Sequence, residues 1–397
     1  MTQAVFNGIR GRQDIVSLVL GGETVIQSES YQVKSAILTQ PSAFSMRLGT
    51  GDSLAKLLAK YPPNTPFQLK INDITYQTGR TDSRGSAATG HDELVLGGRD
   101  LRAAIHDGSI PEEFTLSDPT YGDMIKKVLA TNGLTEAVLV GSNAANRAAM
   151  CGTKRDLELE GPRDALGEKV ENEAKGVPDR KLEAHFGEKW LEYIHRHIGH
   201  AGLFLWAAAD GKTFILSEPN PNQVPLYQLL RKYKTTNGVS NACTIISETF
   251  NDDTTGRASE CRVYTRGASK KKGRQNAQGI AHDKEMQAYG FKRVHVEKDV
   301  NAKTPKRAEF WARKWVAESI RRGWRLSYKV YGHTTKSMIG EHVCWTPDTV
   351  VYVDDEKLGL RGNYYIEGVT FDASPHTTTT LDLMRIDSLI FSDKVPA

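Results

Sequence analysis

At 397 residues the chain is long enough for two to four domains, and with 25% charged and 39% hydrophobic residues it has the composition of ordinary folded protein. A net charge of +4 is too small for a dedicated nucleic-acid binder, and four scattered cysteines (Cys151, Cys243, Cys261, Cys344) with no C-x-x-C pair suggest neither a zinc site nor a disulfide framework. The opening MTQAVFNGIRGRQDIVSLVL lacks the pattern of a secretory signal, and the longest apolar run, AGLFLWAAA, is far short of a membrane span, so synthesis in the cytoplasm without a membrane anchor is expected.

The first hundred residues read as β. Val16, Leu18 and Leu20 alternate with their neighbours before Gly21-Gly22, and Phe44, Met46 and Leu48 alternate again. A short helix is predicted over 53–60, with Leu54, Leu57 and Leu58 on one face and Tyr61-Pro62-Pro63 as its stop. Phe67, Leu69 and Ile71 form a strand, Asn72-Asp73 a turn, and Ile74 and Tyr76 the return. Leu94 and Leu96 then lead into GGRDLRAAIHDGSIP.

The middle is mixed. A helix is predicted over 121–130, stopped by Asn132-Gly133, and residues 141–186 read as a loop-rich insertion. Trp190, Leu191, Ile194, Ile198 and Ala201 share one helical face over 187–201. LFLWAAADGKTFIL follows as a hairpin turning at Asp210-Gly211. Residues 225–232 read as a linker helix, 259–265 as a short strand, and 269–279 as a basic loop holding Lys270, Lys271, Lys272 and Arg274. A long helix over 304–322 has Thr304 as N-cap, Pro305 at its first position and Gly323 as its end.

The last eighty residues are strands and turns. Trp324, Leu326, Tyr328 and Val330 alternate, Val351 and Val353 run into a turn-rich stretch, Tyr365, Val369 and Phe371 return, and Leu381 and Leu383 close the set. One apolar face on a meandering sheet permits closure into a small barrel. FQLKINDITYQTGRTD and VVYVDDEKLGLRGNYYIEGVTFD share a plan of strand, acidic turn and aromatic return, as two related barrels would. Trp311, Trp315, Trp324 and Trp345 are assigned to cores.

Candidate chemistry is thin. Gly211-Lys212-Thr213 lacks the upstream glycine of a phosphate loop, because Trp206 stands there, and a strand follows it instead of a helix. His195, His197 and His200 lie on one helix, but His195 points away from His200 and no carboxylate or cysteine completes a metal set. Asp252-Asp253 and Asp354-Asp355-Glu356 are adjacent acids, which diverge on a strand and are usually solvated in a turn, so a glycosidase pair is not supported. No cofactor, metal or catalytic residue is assigned. The densest charge, Lys270, Lys271, Lys272 and Arg274, reads either as a solvated loop or as a patch facing an acidic partner or passing DNA.

The C-terminal block resembles baseplate hub proteins of contractile-tailed phages, the Mu-like tail hub and late control protein D type. The matching positions are Trp345 and Pro347 before a long strand, Gly359 and Gly362 at the turn, Tyr365, Ile366, Val369 and Phe371 on the return, and Thr377–Thr380 on the last strand. Gly97, Gly98, Arg99 and Leu101, the order of helix then D-G hairpin in the middle, and the step from long helix to barrel are similar as well. The resemblance implies an α+β fold of mainly antiparallel sheets, with two tail-tube-like barrels around helix-and-hairpin middle domains. The expected units are a first barrel over 1–114, an insertion over 115–183, a middle domain over 184–266, and the long helix with the second barrel over 267–397. It also implies a non-enzymatic homotrimer that joins a six-fold tail tube to a three-fold central spike in the virion baseplate. The expected partners are the tube protein, the spike protein, baseplate wedge proteins, the tape measure, and DNA passing through the channel without sequence-specific binding. Two other readings stay open: the hub of a phage-derived injection system or type VI apparatus, and a tail-associated cell-wall hydrolase.

Overall fold

The computed structural model describes residues 14–25, 30–36, 41–49, 54–88, 92–111, 113–141, 165–170, 181–232, 243–266, 276–298, 304–338, 340, 342–373 and 376–389. The basic quartet Lys270, Lys271, Lys272 and Arg274 and the cysteine Cys151 lie outside them. So does most of the insertion over 141–186, where the described residues include a short strand, Lys181–Glu183, paired with Thr115–Ser117.

The alternating segments become strands of one 13-stranded sheet. From one edge, Ile245–Asp252 pairs with Trp324–Tyr331, then come Thr377–Arg385 and Leu360–Ala373. The next neighbour is Ser30–Ala36, from the other end of the chain, followed by Ala43–Gly49, Asp92–Asp100, Ile74–Ala88, Pro66–Ile71, Val16–Leu20 and Glu23–Val25. The two strand sets therefore meet in a seam, with Gly368 opposite Ala36, Phe371 opposite Val33 and Ala373 opposite Tyr31. One apolar face runs across the seam, so Leu18, Val33, Phe44, Leu69 and Leu96 share a core with Leu326, Val353, Val369, Phe371 and Leu381. The fold is α+β with mainly antiparallel strands, and the sheet curves as a half-barrel.

Local chemistry explains the turns. Asn72 and Asp73 both take positive φ (50° and 66°), the pairing that a two-residue hairpin with the strand twist requires. The predicted helix over 53–60 forms as Leu54–Lys60, lying half-buried on the core through Leu54, Leu57 and Leu58.

A second core gathers the middle elements. Helices Arg102–Asp107, Tyr121–Thr131 and Trp190–Ile198 surround Ile125, Val128, Trp190, Ile194, Phe214 and Leu216. Tyr121–Thr131 begins with a capping box in which Thr120 and Asp123 bond each other's main-chain N–H. The helix predicted over 187–201 is shorter, Trp190–Ile198, and ends in a 3-10 turn over Gly199–Ala201 before Gly202 at φ 75°. The D-G hairpin forms from Phe204–Ala207 and Thr213–Ser217, and Val138–Gly141 joins it in parallel.

A third, small core lies between helix Pro305–Gly323 and a sheet of Asn276–His282, Glu260–Arg266 and Val294–Lys298. Thr304 caps the helix by accepting the Arg307 N–H, and Pro305 occupies the first turn.

Four expectations change. The predicted linker helix over 225–232 is a strand, Tyr227–Arg231, parallel to Thr349–Asp355. Tyr227, Leu229 and Arg231 are buried while Gln228 is exposed, a two-residue period that outweighs helical propensity. The end of the predicted basic loop is also a strand, because Gly279 lets it lie against the long helix: a Cβ there would sit 2.0 Å from the Ala308 carbonyl carbon. Gly323 is the last helical residue and does not act as a left-handed cap. It permits close approach, since its Cβ would meet the Asp253 carbonyl oxygen at 2.2 Å. Trp324 and Trp345 are core residues, but Trp311 and Trp315 are only half-buried and flank the third core. The Trp315 ring stacks on His295 with centroids 4.0 Å apart.

Candidate functional site

The fold concentrates its polar chemistry in internal clamps between elements distant in sequence. At one end of the sheet Arg231, from the parallel strand, forms a two-bond pair with Asp355 at 2.9 and 2.5 Å. A second arm of the guanidinium reaches Glu248 at 2.6 Å, the Tyr328 hydroxyl donates to Asp355 at 2.7 Å, and Lys357 pairs with Glu248. Asp355 is 1% exposed, so this acid, read from sequence as part of a solvated turn, is a buried ion-pair anchor. Burial pushes its pKa up, but the Arg231 and Tyr328 hydrogen bonds outweigh that and hold it below the ordinary value. Asp354 pairs with Lys232 at 2.8 Å on the other face of the strand. The two acids thus diverge, as adjacent strand residues must, and each is engaged by a cation.

A second clamp ties residue 14 to the C-terminal strands. Asp14 accepts from Asn72 Nδ2 (2.7 Å), the Thr334 hydroxyl (2.8 Å) and the main-chain N–H of His333. His333 is fully buried, with Nε2 2.6 Å from the Tyr31 hydroxyl and Nδ1 3.2 Å from Thr379 Oγ1. The Thr379 hydroxyl donates to the Gly332 carbonyl, so it accepts from Nδ1–H, and Nε2 is left to accept from Tyr31. Burial lowers the His333 pKa to about 4, keeping the ring neutral.

A third clamp fixes the small sheet to the large one. Arg257 is 1% exposed and forms a two-bond pair with Asp283, while one of its nitrogens also reaches Glu285 at 2.8 Å. Arg385, the last residue of strand Thr377–Arg385, donates to the same Glu285 at 2.9 Å. Burial raises the Glu285 pKa, but the two arginines outweigh it and bring it down to about 2. The middle hairpin docks on the sheet as well: the Thr78 hydroxyl donates to the Ala209 carbonyl at 2.6 Å, and Gly211 leaves room for the Thr78 methyl.

Several residues weighed for phosphate, metal or paired-acid chemistry have partners of their own within the fold. At the Gly211-Lys212-Thr213 turn, Asp210 accepts from the Lys212 and Thr213 N–H groups, which a phosphate would need. His197 is buried against Tyr193, and among the described residues no three His, Cys, Asp or Glu side chains gather at metal-ligand spacing. Asp253 accepts from the Thr255 main chain, and Asp252 lies 3.9 Å from Arg257. The cleft between the large sheet and the middle hairpin, lined by Ser42, Gln77, Arg102 and Trp206, encloses about 50 Å³. A small-molecule site ordinarily needs about 300 Å³ or more.

What sequence reasoning missed are the clamps, whose partners lie far apart: Asp14 and His333 are separated by 319 positions. Its basic quartet falls outside the described residues, but the sheet on which that segment opens presents one exposed face with Ile280, Val294 and Val296.

No family model and no curated protein matches the sequence. Solved structures do match the fold. The tail protein from Neisseria meningitidis MC58 is 22% identical, with 96% of this chain and 100% of that one covered at a TM-score of 0.70. The 43 kDa tail protein of prophage MuSo2 from Shewanella oneidensis is 16% identical, with 94% and 99% covered and a TM-score of 0.70. A chain of the Francisella PdpA–VgrG complex is 9% identical, with 98% of this chain and 60% of that one covered at a TM-score of 0.56. Through nearly its whole length, this chain has the fold of phage tail proteins.

Proposed function

We propose that this protein is a structural baseplate hub of a phage tail: a homotrimer on the tail axis that joins a six-fold tube to a three-fold spike and leaves a channel for DNA. The observation that carries the reading is the end-to-end likeness to two tail proteins of nearly the same length. The clamps fit it, because a load-bearing adaptor needs its strand sets locked to each other and has no need of an open site. Each subunit would offer two strand sets of related plan, the hairpins Pro66–Ile71 with Ile74–Ala88 and Thr349–Asp355 with Leu360–Ala373, so that three subunits repeat six times around an axis. The proposed units remain 1–114, 115–183, 184–266 and 267–397, and strands of the first, third and fourth share the large sheet. The proposed partners are the tube and spike proteins, with wedge proteins and the tape measure around them.

Light scattering on the purified chain is the test. A mass near three times 44.0 kDa, with ring-shaped particles that show an axial hole, is expected. A monomer that stays monomeric when mixed with tube and spike proteins overturns the reading. A second reading, the hub of an injection device, is favoured by the likeness to the VgrG complex chain. Particles purified through this chain separate the two, since virions carry DNA-filled heads and injection devices do not. Clearing of a peptidoglycan suspension by the pure chain would instead establish a hydrolase.

A further inference from the structure

One sheet-and-helix unit, which spans the proposed boundary at 266, differs from the rest of the molecule in charge. Residues 257–323, the small sheet and its helix, hold eighteen Lys and Arg against seven Asp and Glu, a net +11 in a chain whose total is +4. The remainder is therefore acidic. Within the unit, Arg257 is neutralised internally by Asp283 and Glu285, whereas Lys284, Lys292, Arg293 and Lys298 are exposed.

The same unit exposes an apolar strand edge. Val294–Lys298 is paired in parallel with Glu260–Arg266 on one side, and among the described residues no strand pairs its other side. Register places Ile280, Arg262 and Val296 in one row across the sheet, with His282, Glu260 and Val294 in the next. Ile280 is 42% exposed, Val294 50% and Val296 61%, so no described residue covers them fully. The opposite face carries Cys261, Val263 and Ala281 and is sealed by the long helix. Proteins usually blunt a free edge, because its unpaired N–H and C=O groups template another strand.

We propose that Val294–Lys298 takes up an extended segment of a partner protein by strand addition, the segment alternating apolar with acidic residues. Main-chain hydrogen bonds would supply the pairing and Val294 and Val296 the apolar contacts, while the excess of cations around the strand, with Arg293 and Lys298 at its two ends, would attract the acids over a longer range than direct pairing. A nucleic acid would use the charge, but it has no strand to add to the edge and gains little from Val294, Val296 and Ile280. The inference stands on this unit alone and does not depend on the tail-hub reading.

The test uses the full chain and a short fluorescent peptide of alternating Glu and Val, with alternating Lys and Val and a short single-stranded DNA as comparisons. The Glu–Val peptide is expected to bind, to bind less tightly as salt rises from about 50 to about 300 mM, and to slow amide exchange over 294–298. Val296→Asp and Lys298→Glu, both at exposed positions, are each expected to weaken it about tenfold with an unchanged melting temperature. If one variant misfolds, the other decides. Equal binding of the Lys–Val peptide, no peptide binding, or affinity untouched by both substitutions overturns the proposal. Binding of DNA alone, lost in Lys298→Glu, would make the unit a nucleic-acid patch and would overturn it equally.

Discussion

At the scale of single residues, the most consequential side chains are polar and buried. His333 titrates near 4 in the folded chain against 6.5 when free of its surroundings, because burial disfavours the imidazolium. The unfolded chain therefore takes up a proton at higher pH than the folded one. The stability held in this difference is complete above pH 6.5 and is lost as pH falls toward 4, amounting to about 3 kcal/mol over that window. Urea midpoints measured from pH 7 to pH 4 should fall accordingly, and His333→Gln should flatten the slope between those limits. A slope that persists unchanged in the variant would place the titration elsewhere. Arg231 and Asp355 make a second prediction: removing one partner leaves a buried charge short of its counterion, so Asp355→Ala should cost about 3 kcal/mol in chemical denaturation. Residues of this kind were hardly legible in the sequence. Asp355 follows another acid and precedes a glycine-rich turn, the signature of a solvated loop, and the cation that buries it stands 124 positions away. Tryptophans showed the converse error: their usual burial and their place on the apolar helix face put Trp311 and Trp315 in the core, whereas that face is only partly covered there.

At the scale of elements, the two-residue period was dependable wherever an apolar row ran for four or more alternations, as at Trp324–Tyr331. It failed at Tyr227–Arg231, where one of the three inward side chains is an arginine, so the row looked amphipathic in the helical sense. Glycine roles were half legible. Turn glycines such as Gly21 and Gly22 announce themselves by their neighbours, but Gly279 and Gly323 are needed by distant backbone that local sequence does not reveal. Gly279→Ala is accordingly expected to push the long helix off its sheet and to destabilise the protein by about 2 kcal/mol, read as a lower melting temperature. Full stability in that variant would mean that the helix can slide at no cost.

At the scale of the whole molecule, the two ends of the chain share a sheet and a core. Amide exchange in Ser30–Ala36 and in Leu360–Ala373 should therefore report one opening free energy, and Phe371→Ala, which removes a fully buried ring beside the seam, should lower both by about 3–5 kcal/mol. Independent exchange in the two strands would show that the seam opens before either half. Sequence analysis reached the two strand sets but not their continuity, since pairing between positions 36 and 368 leaves no local trace.

That seam also sets an order of events at the ribosome. Strand Ser30–Ala36 emerges early and finds Ala43–Gly49 at once on one side, but its other edge waits for Gly368–Ala373, more than three hundred residues later. At ordinary elongation rates the wait is on the order of half a minute. Throughout it a nearly finished strand set carries an open edge beside a growing neighbour on the same messenger, which is when chains of this protein are most able to join the wrong partner.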